Sequence, residues 1–330
     1  MAERPTLART TKLAVAHGDV LTKDCDVLVL KYAQRTRGLD YAVATPLGLS
    51  ERQFSGLSAS RHLFIPTLGR LRPKAVLYLG VPDLREFGYA DIREFSRESL
   101  RILSGLDCAK ADVATTVHGA GLWLDEREAF YAQIAGIMEY LKEPAHGWAP
   151  ESLTIWERDQ NRAARLTQLL DGLELPPDLG ARAGGRPEPP SAIPDAGAAS
   201  EEKKHVFVAM PYDDDMLDVY EFGVREPVND AGCLCERCDQ SAFTGDVLDR
   251  IKSRISSANV VIADMTGANP NVYLEVGYAW GQGVPTLLIA RKGSELLFDV
   301  KTHRCIYYKS ISDLRKQLTD LLPQLTRGDK

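Results

Sequence analysis

The sequence predicts two α/β domains, each with a largely parallel sheet flanked by helices. Short apolar runs typical of buried strands alternate with segments of helical periodicity along most of the chain, and this order favours parallel sheets. The alternation stops once, at residues 176–204, where ten of 29 residues are Pro or Gly and many others are Ala. We therefore expect an N-terminal domain at 1–175, a flexible linker at 176–204 and a C-terminal domain at 205–330.

The strands and helices of the N-terminal domain alternate from its first residues. The predicted strands are KLAVAHGDV, CDVLVLKY, AVLYLGVP, KADVATTVHGAG and SLTIWERD. The predicted helices are DIREFSRESLRILSGL, EREAFYAQIAGIMEYLKE and QNRAARLTQLLDGL, each with apolar residues at helical spacing.

The C-terminal domain repeats this alternation on a smaller scale. Its predicted strands are HVFVAMP, CLCERCD, ANVVIADMT and PTLLIARK. Its predicted helices are MLDVYEFGVREPVNDAG, interrupted near Pro227, then GDVLDRIKSRISSA, PNVYLEVGYAWGQG and ISDLRKQLTDLLPQL. About 125 residues are enough for a small doubly wound fold.

The composition excludes several classes of partner. A net charge of -6 provides no basic field for nucleic acid or for an anionic membrane. No apolar run approaches the roughly 18 residues of a membrane-spanning helix, and the first residues, MAERPTLARTTK, lack the apolar core of a secretory signal. Six cysteines in 330 residues do not make a disulfide scaffold, so we expect reduced thiols and a cytoplasmic location.

Polar residues follow two predicted strands of the C-terminal domain. In open α/β sheets, ligands bind at the carboxyl ends of the strands. One strand ends just before Met210 and Tyr212, and another ends at Asp264. Asp264 precedes Thr-Gly, so it could also serve only to form the turn.

The helix that follows carries an unusual charge. Pro270 is favoured as a first helical residue, which places Asn269 at the cap, and Glu275 then shares a face with Asn271 and Tyr278. Among the 26 residues between Asp264 and Arg291, Glu275 is the only Asp, Glu, Lys, Arg or His. A carboxylate in apolar surroundings costs several kcal/mol unless it is paired.

The residues alone leave two interpretations of Glu275 open. It could point inward across the strand ends, toward Asp264 and Tyr212, and act on a ligand there. It could instead be a carboxylate favoured near a helix N-terminus or paired with a buried arginine.

Two other features of this domain have ordinary structural explanations. Cys233, Cys235 and Cys238 have a C-x-C-x-x-C spacing that could bind zinc, but no fourth ligand is near in sequence, so we expect small buried side chains and no metal. Trp280 could stack on a planar ring of a ligand, although a role in the core or an interface is favoured.

Two loops of the N-terminal domain contain glycines after strands. Gly18 and Asp19 follow the first strand, and His118, Gly119 and Gly121 lie between a later strand and a helix. Glycines at such positions let backbone N–H groups approach a phosphate. Simple turns have the same composition.

The C-terminal motifs, taken together, resemble a bacterial nucleoside 2-deoxyribosyltransferase-like, or TIR-like, domain. The segments are FVAMPY, CERCD, FTGDVLDRIKSRISSANVVIADMTG and NPNVYLEVGYAWGQGVPTLLI, in the family's order from His205 to about residue 290. The resemblance implies a flavodoxin-like fold and a catalytic role for Glu275, in the E-x-G-Y-A helix. It also implies substrate contacts from the R-x-D pair and the D-x-T-G-x-N-P-N turn, so that the predicted substrate site comprises Met210, Tyr212, Arg237, Asp239, Asp264, Asn269, Asn271 and Tyr278.

That family spans two activities, and both suit a lone carboxylate. Cleavage of an N-glycosidic bond develops oxocarbenium character that a carboxylate can stabilise or attack. Nicotinamide leaves NAD as a neutral base, so an NAD glycohydrolase has less need of a second catalytic acid. Deoxyribosyl transfer requires protonation of the leaving nucleobase. No cofactor is expected, because NAD would be the substrate.

The N-terminal motifs, G-D followed by D-V-L-V-L and later H-G-A-G, resemble a macro domain and equally the related N-terminal module of leucyl aminopeptidases. The resemblance implies binding of an ADP-ribose-like nucleotide by Gly18, Asp19, His118, Gly119 and Gly121. KYAQRTRGLD stands where many macro domains carry an asparagine-rich segment, which argues against ADP-ribose hydrolysis.

Three functions follow as hypotheses. The first is a bacterial anti-phage immune effector, in which the macro-like domain senses a nucleotide-type signal and the TIR-like domain hydrolyses NAD as a homo-oligomer. The second is a nucleoside or nucleotide deoxyribosyltransferase, or an N-ribohydrolase, of nucleotide metabolism. The third is a non-catalytic nucleotide-binding module in which Glu275 only stabilises its helix.

Overall fold

A computed structural model of the chain describes residues 11–33, 39–54, 57, 61–83, 86–106, 111–119, 124–143, 148–173, 175, 196–211, 213–237, 247–297, 300 and 303–326. The chain divides into two compact units, Met1–His118 with Arg127–Ala198 and Gly119–Glu126 with Ala199–Lys330. The short segment Gly119–Glu126 thus groups with the second unit, although the sequence assigns it to the N-terminal domain.

The first unit is built on a six-stranded sheet. Its strands are β1 (Lys12–His17), β2 (Val27–Tyr32), β3 (His62–Pro66), β4 (Ala75–Gly80), β5 (Asp112–Thr116) and β6 (Ser152–Glu157). They lie in the order β1-β6-β5-β2-β4-β3, and every neighbouring pair is parallel except β3 with β4. All six residues of β4 and five of the six of β2 are buried, as expected of parallel strands covered on both faces.

The helices of this unit are α1 (Leu39–Ala44), α2 (Glu51–Phe54), α3 (Tyr89–Gly105), α4 (Glu126–Lys142, of which the first residue groups with the second unit) and α5 (Gln160–Asp171). The last begins where Asp159 accepts a hydrogen bond from the backbone N–H of Arg162 at 2.6 Å, a side-chain cap. The three long helices and five of the strands follow the predicted alternation.

Strand β3 is not predicted from the sequence. It pairs antiparallel at the sheet edge, its residues are only half-buried or exposed, and it ends at Pro66. Proline is tolerated on an edge strand because its missing N–H faces away from the ladder. A short, partly exposed run ending in proline carries a weak strand signal.

The second unit is built on a five-stranded parallel sheet. Its strands are β7 (His205–Ala209), β8 (Leu234–Glu236), β9 (Val260–Asp264), β10 (Thr286–Arg291) and β11 (Cys305–Tyr308). They lie in the order β11-β10-β9-β7-β8, which is the flavodoxin-like order 2-1-3-4-5. Together the two sheets confirm the predicted fold class.

Helices cover both faces of this sheet. They are α6 (Asp214–Asp218), a π-helical stretch (Val219–Arg225), α7 (Glu226–Asp230), α8 (Val247–Ser257), α9 (Pro270–Gly281) and α10 (Ile311–Thr326). The π-helical stretch and α10 pack on the face that carries Val206 and Val208. Helices α8 and α9 pack on the opposite face, which carries Phe207 and Ala209. No described helix is long and apolar enough to cross a membrane.

The predicted helix interruption near Pro227 is displaced. Pro227 is the second residue of α7, which continues directly from the π-helical stretch, since Arg225 and Glu226 both have helical dihedral angles. The irregularity is the π-helical stretch just before it. A proline therefore marks the neighbourhood of the irregularity but not its position.

The end of the predicted linker is packed. Ala196 is buried, and its carbonyl oxygen accepts a hydrogen bond from Arg93 at 2.9 Å. Gly197 has a φ of +85°, and a Cβ there would lie 2.9 Å from the carbonyl oxygen of Tyr89. The small side chains that indicate a flexible linker also permit this close approach. Residues 176–195 lie outside the described residues.

Candidate functional site

The switch point of the second unit lies between β7 and β9. From β7 the chain moves to β8 on one side, and from β8 it crosses to β9 on the other. Such a reversal opens a crevice at the carboxyl ends of the two central strands, where ligands of this fold bind. Met210 follows β7 and Asp264 ends β9, so both lie at this edge, as predicted.

Helix α9 begins at the same edge and carries Glu275. The side chain of Asn269 accepts a hydrogen bond from the backbone N–H of Asn271 at 2.9 Å, and Pro270 is the first helical residue. The predicted cap is therefore present. Glu275 is 9% exposed and lies on the buried face of the helix with Val272 and Val276.

The side chains of the sheet beneath α9 become smaller toward this edge. Phe207 and Val261 are register partners, and two residues further along the strands the partners are Ala209 and Ala263. All four are buried on the face that packs against α8 and α9. Because alanine is small, this face of the sheet carries less side-chain volume near the carboxyl ends of the two strands.

Asp264 has a full set of structural partners. Its Oδ1 accepts the backbone N–H of Thr266 at 2.9 Å, and its Oδ2 accepts the hydroxyl of Tyr308 at 2.8 Å. Burial raises its pKa, and these hydrogen bonds, with the charge of Arg291, oppose the rise. The geometry is that of the turn-forming aspartate that the sequence allowed as the alternative.

The other predicted residues on α9 point in different directions. Asn271 is exposed, whereas Tyr278 is half-buried and its hydroxyl lies 3.2 Å from the Ser256 hydroxyl on α8. The side-chain oxygen of Asn269 is engaged in the helix cap. Of the residues predicted on one helix face, Glu275 alone is buried.

Arg237 follows β8 and is half-buried. Its guanidinium carbon lies 4.1 Å from the ring centroid of Tyr220, which belongs to the π-helical stretch. Tyr212 and Asp239 lie outside the described residues.

Two of the three cysteines and Trp280 lie in the described part of this unit. Cys233 and Cys235 are buried thiols, and Cys238 lies outside the described residues. In the described part of the chain, no group of three His, Cys, Asp or Glu side chains is placed to hold a metal ion. Trp280 stacks on His303 with ring centroids 4.1 Å apart.

The first unit has its own switch point, between β2 and β5. The chain runs from β2 to β3 and β4 on one side and returns to β5 on the other. His118 and Gly119 follow β5, and Gly119 has a φ of +81°, a conformation that favours glycine. This part of the predicted ligand loop therefore lies at the edge where open α/β sheets bind ligands. Gly121 lies outside the described residues.

His118 is turned into the protein. It is 4% exposed, packs edge-on against Phe95 at 4.6 Å and lies 3.3 Å from the Thr115 hydroxyl. Burial, together with the charge of Lys31, lowers its pKa to about 3. The imidazole is therefore neutral at physiological pH, and its contacts are those of a core side chain.

Gly18 and Asp19 follow β1, which is an edge strand two positions from β5. Gly18 has a φ of +146°, and Asp19 accepts the backbone N–H of Leu21 at 3.0 Å. Asp19 also lies 3.7 Å from the guanidinium of Arg158. These two residues are thus placed along the same sheet edge as the β5 loop, but not beside it.

Asp40 is a buried acid that no prediction above includes. It lies in α1, is 8% exposed, and burial raises its pKa to about 6, although the charge of Lys31 opposes the rise. Lys31 belongs to β2, which borders the switch point. The signal in the sequence is a lone acid among apolar residues in LDYAVA, the same pattern that singles out Glu275.

Comparisons with known proteins give distant structural similarities only. No protein-family model matches the chain, and no curated protein matches it. A macrodomain mutant from Oceanobacillus iheyensis is 13% identical with a TM-score of 0.38, covering 48% of this chain and 90% of that one. The macrodomain of the same organism with ADP is 12% identical with a TM-score of 0.37, covering 47% of this chain and 88% of that one. The CMP N-glycosidase BcmB of Clostridium botulinum is 19% identical with a TM-score of 0.29, covering 36% of this chain and 99% of that one. These similarities are too distant to assign a function.

Proposed function

We propose that the second unit hydrolyses the N-glycosidic bond of a nucleotide, with Glu275 as the catalytic carboxylate and NAD as the substrate. One observation carries the proposal. The lone carboxylate of a long apolar segment is 9% exposed and lies on a helix that begins at the switch point of a flavodoxin-like sheet. A buried acid on a helix that begins at the edge where sheets of this fold bind ligands has the location expected of a catalytic group.

The reaction needs little more than this acid. The bond between the ribose C1′ and the nicotinamide nitrogen breaks, and the electron pair leaves with nicotinamide, which becomes neutral. The Glu275 carboxylate stabilises the positive charge that develops on the sugar or bonds to C1′. Water then supplies the hydroxyl group at C1′ and releases a proton. The products are ADP-ribose and nicotinamide.

The neighbouring residues then divide into positioning and binding roles. The hydrogen bonds of Asp264 shape the turn that leads to Asn269, whose cap starts α9 and so determines where Glu275 lies. Arg237 would contact the anionic part of the nucleotide. Met210, Tyr212, Asp239, Asn271 and Tyr278 complete the proposed substrate site.

The first unit would bind a nucleotide-type signal at the edge that carries the β5 loop. Binding can activate hydrolysis only if the signal has a higher affinity for the active, self-associated state than for the inactive one. A chain of this kind would act as an immune effector that depletes NAD when the signal is present.

The test uses the purified full-length chain with NAD, with and without ADP-ribose as a probe of the first unit. We expect release of nicotinamide, measured by chromatography, and a rate that rises with protein concentration. Deoxynucleosides with a second free base form the parallel reaction. Base exchange without NAD consumption would favour the deoxyribosyltransferase alternative, and neither reaction at high protein concentration would contradict an enzymatic role.

A further inference from the structure

The helix between β7 and β8 contains seven consecutive π-helical residues, Val219–Arg225. Extended π-helical geometry is rare and, where it occurs, is often found at functional sites. Six of these seven residues are buried, and the exception is Phe222, which is 45% exposed. The stretch therefore faces the protein interior with nearly every side chain.

Tyr220 joins this stretch to β8. Its ring is 8% exposed and faces the guanidinium of Arg237 at 4.1 Å, and its hydroxyl lies 3.9 Å from the sulfur of Cys235. Cys235 lies in β8, and Arg237 comes directly after the last residue of the strand. Tyr220 thus contacts a residue of β8 through its hydroxyl and the arginine after the strand through its ring.

Buried charges hold the π-helical stretch in place. Arg225 pairs with Glu221 at 2.5 Å and with Glu126 at 2.9 Å, within the second unit. Burial alone would lower the pKa of Arg225, but these two carboxylates raise it, so the guanidinium stays charged. A Cβ on Gly223 would lie 2.9 Å from Leu314, which shows how closely the stretch approaches α10.

A buried aspartate holds the backbone of strand β8. The carboxylate of Asp125 accepts the backbone N–H of Cys235 at 3.0 Å and the side-chain amide of Asn229 at 2.8 Å. Asp125 is 1% exposed. The π-helical stretch that carries Tyr220 and the backbone that leads to Arg237 are therefore both held by buried polar contacts.

We infer that Tyr220 is a positioning residue that holds Arg237 in the orientation needed to bind the phosphate groups of the substrate. A guanidinium stacked on a ring engages its flat face, whereas its N–H donors lie in the plane and can bind phosphate oxygens. This inference rests on the proposed function. It narrows the substrate class to nucleotides with phosphate groups, as opposed to unphosphorylated nucleosides.

The experiment measures binding separately from turnover. NAD is titrated into the full-length Glu275→Gln chain by calorimetry, and the titration is repeated with Tyr220→Leu, Tyr220→Phe and Arg237→Gln added singly and in pairs. Tyr220→Leu is expected to raise the Kd roughly 2- to 30-fold, the range of a cation–π contact. Tyr220→Phe keeps the ring and is expected to keep the affinity.

The pairing of variants separates positioning from packing. In the Arg237→Gln background, Tyr220→Leu should have no further effect on the Kd if the ring acts through the arginine. An equal loss of affinity in both backgrounds would overturn the inference, as would an unchanged Kd for Tyr220→Leu.

The same titration distinguishes this inference from the proposed function. If the wild-type chain hydrolyses no nucleotide but the pattern of Kd values holds, hydrolysis is refuted and the positioning role stands. If the chain hydrolyses NAD but the pattern is absent, only the positioning role fails. Failure of NAD to bind overturns both.

Discussion

Replacing Asp40 with Asn should stabilise the first unit at neutral pH. Burial raises the Asp40 pKa from 3.8 to about 6, and the side chain is 8% exposed. A shift of that size corresponds to about 3 kcal/mol, since each pKa unit is worth about 1.4 kcal/mol. The folded state binds the proton more tightly than the unfolded state, so stability falls as the pH rises from about 4 to about 6 and then levels off.

Asparagine has nearly the same size and stays neutral across this range. The Asp40→Asn chain should therefore equal wild type below about pH 4 and exceed it by up to about 3 kcal/mol at pH 7 to 8. Urea denaturation at several pH values, followed by hydrogen exchange of α1 and β2 amides, measures the difference. Asp171→Asn changes an exposed aspartate of the same unit and should show no pH-dependent gain.

A constant difference between Asp40→Asn and wild type from pH 4 to pH 8 would refute this reasoning. So would a loss of stability at neutral pH, because it would mean that the ionised carboxylate has a stabilising partner that outweighs its burial.

Two further predictions concern buried contacts. Glu236 is 1% exposed and pairs with His205 at 3.0 Å and with Arg254. Burial alone would raise the pKa of Glu236, but these partners lower it to about 2. The stability that the ionised carboxylate contributes is therefore complete above pH 4.5 and lost as the pH falls toward 2. Glu236→Gln should therefore destabilise the second unit by about 3 kcal/mol at pH 7 in urea denaturation, and an unchanged midpoint would contradict the ion-pair assignment. Gly197→Val should destabilise the first unit by about 2 kcal/mol. The new side chain would be too close to the backbone oxygen of Tyr89, and valine disfavours the positive φ of this position. Gly48→Val shares a positive φ but has open space, so equal losses of melting temperature would show that packing at Gly197 is unimportant.

Much of the fold could be predicted because its strands are short, apolar and buried. The runs VLVLKY and AVLYLG belong to central parallel strands and need apolar residues on both faces. Strands β3 and β11 carry weaker signals because they lie at sheet edges and are partly exposed. The π-helical stretch has no local signature, since it depends on contacts with α10 and with Glu126 that the sequence does not bring together.

The candidate site could be predicted only where local chemistry determines it. The cap at Asn269 and the turn at Asp264 follow from residue types that favour those conformations. The inward position of His118 depends on packing against Phe95, which is 23 residues away in sequence, so no local pattern reveals it. Asp40 differs, because a single acid in the otherwise apolar run LDYAVA is itself a local signal.

The most direct test of the central claim is the rate of nicotinamide release by Glu275→Gln compared with wild type. We predict a loss of at least about 100-fold, the scale on which a group that stabilises transition-state charge contributes, with an unchanged melting temperature. Glu295→Gln, which alters an exposed glutamate of the same unit, should retain the wild-type rate. A Glu275→Gln chain that folds normally and releases nicotinamide as fast as wild type would contradict the assignment of Glu275 as the catalytic carboxylate.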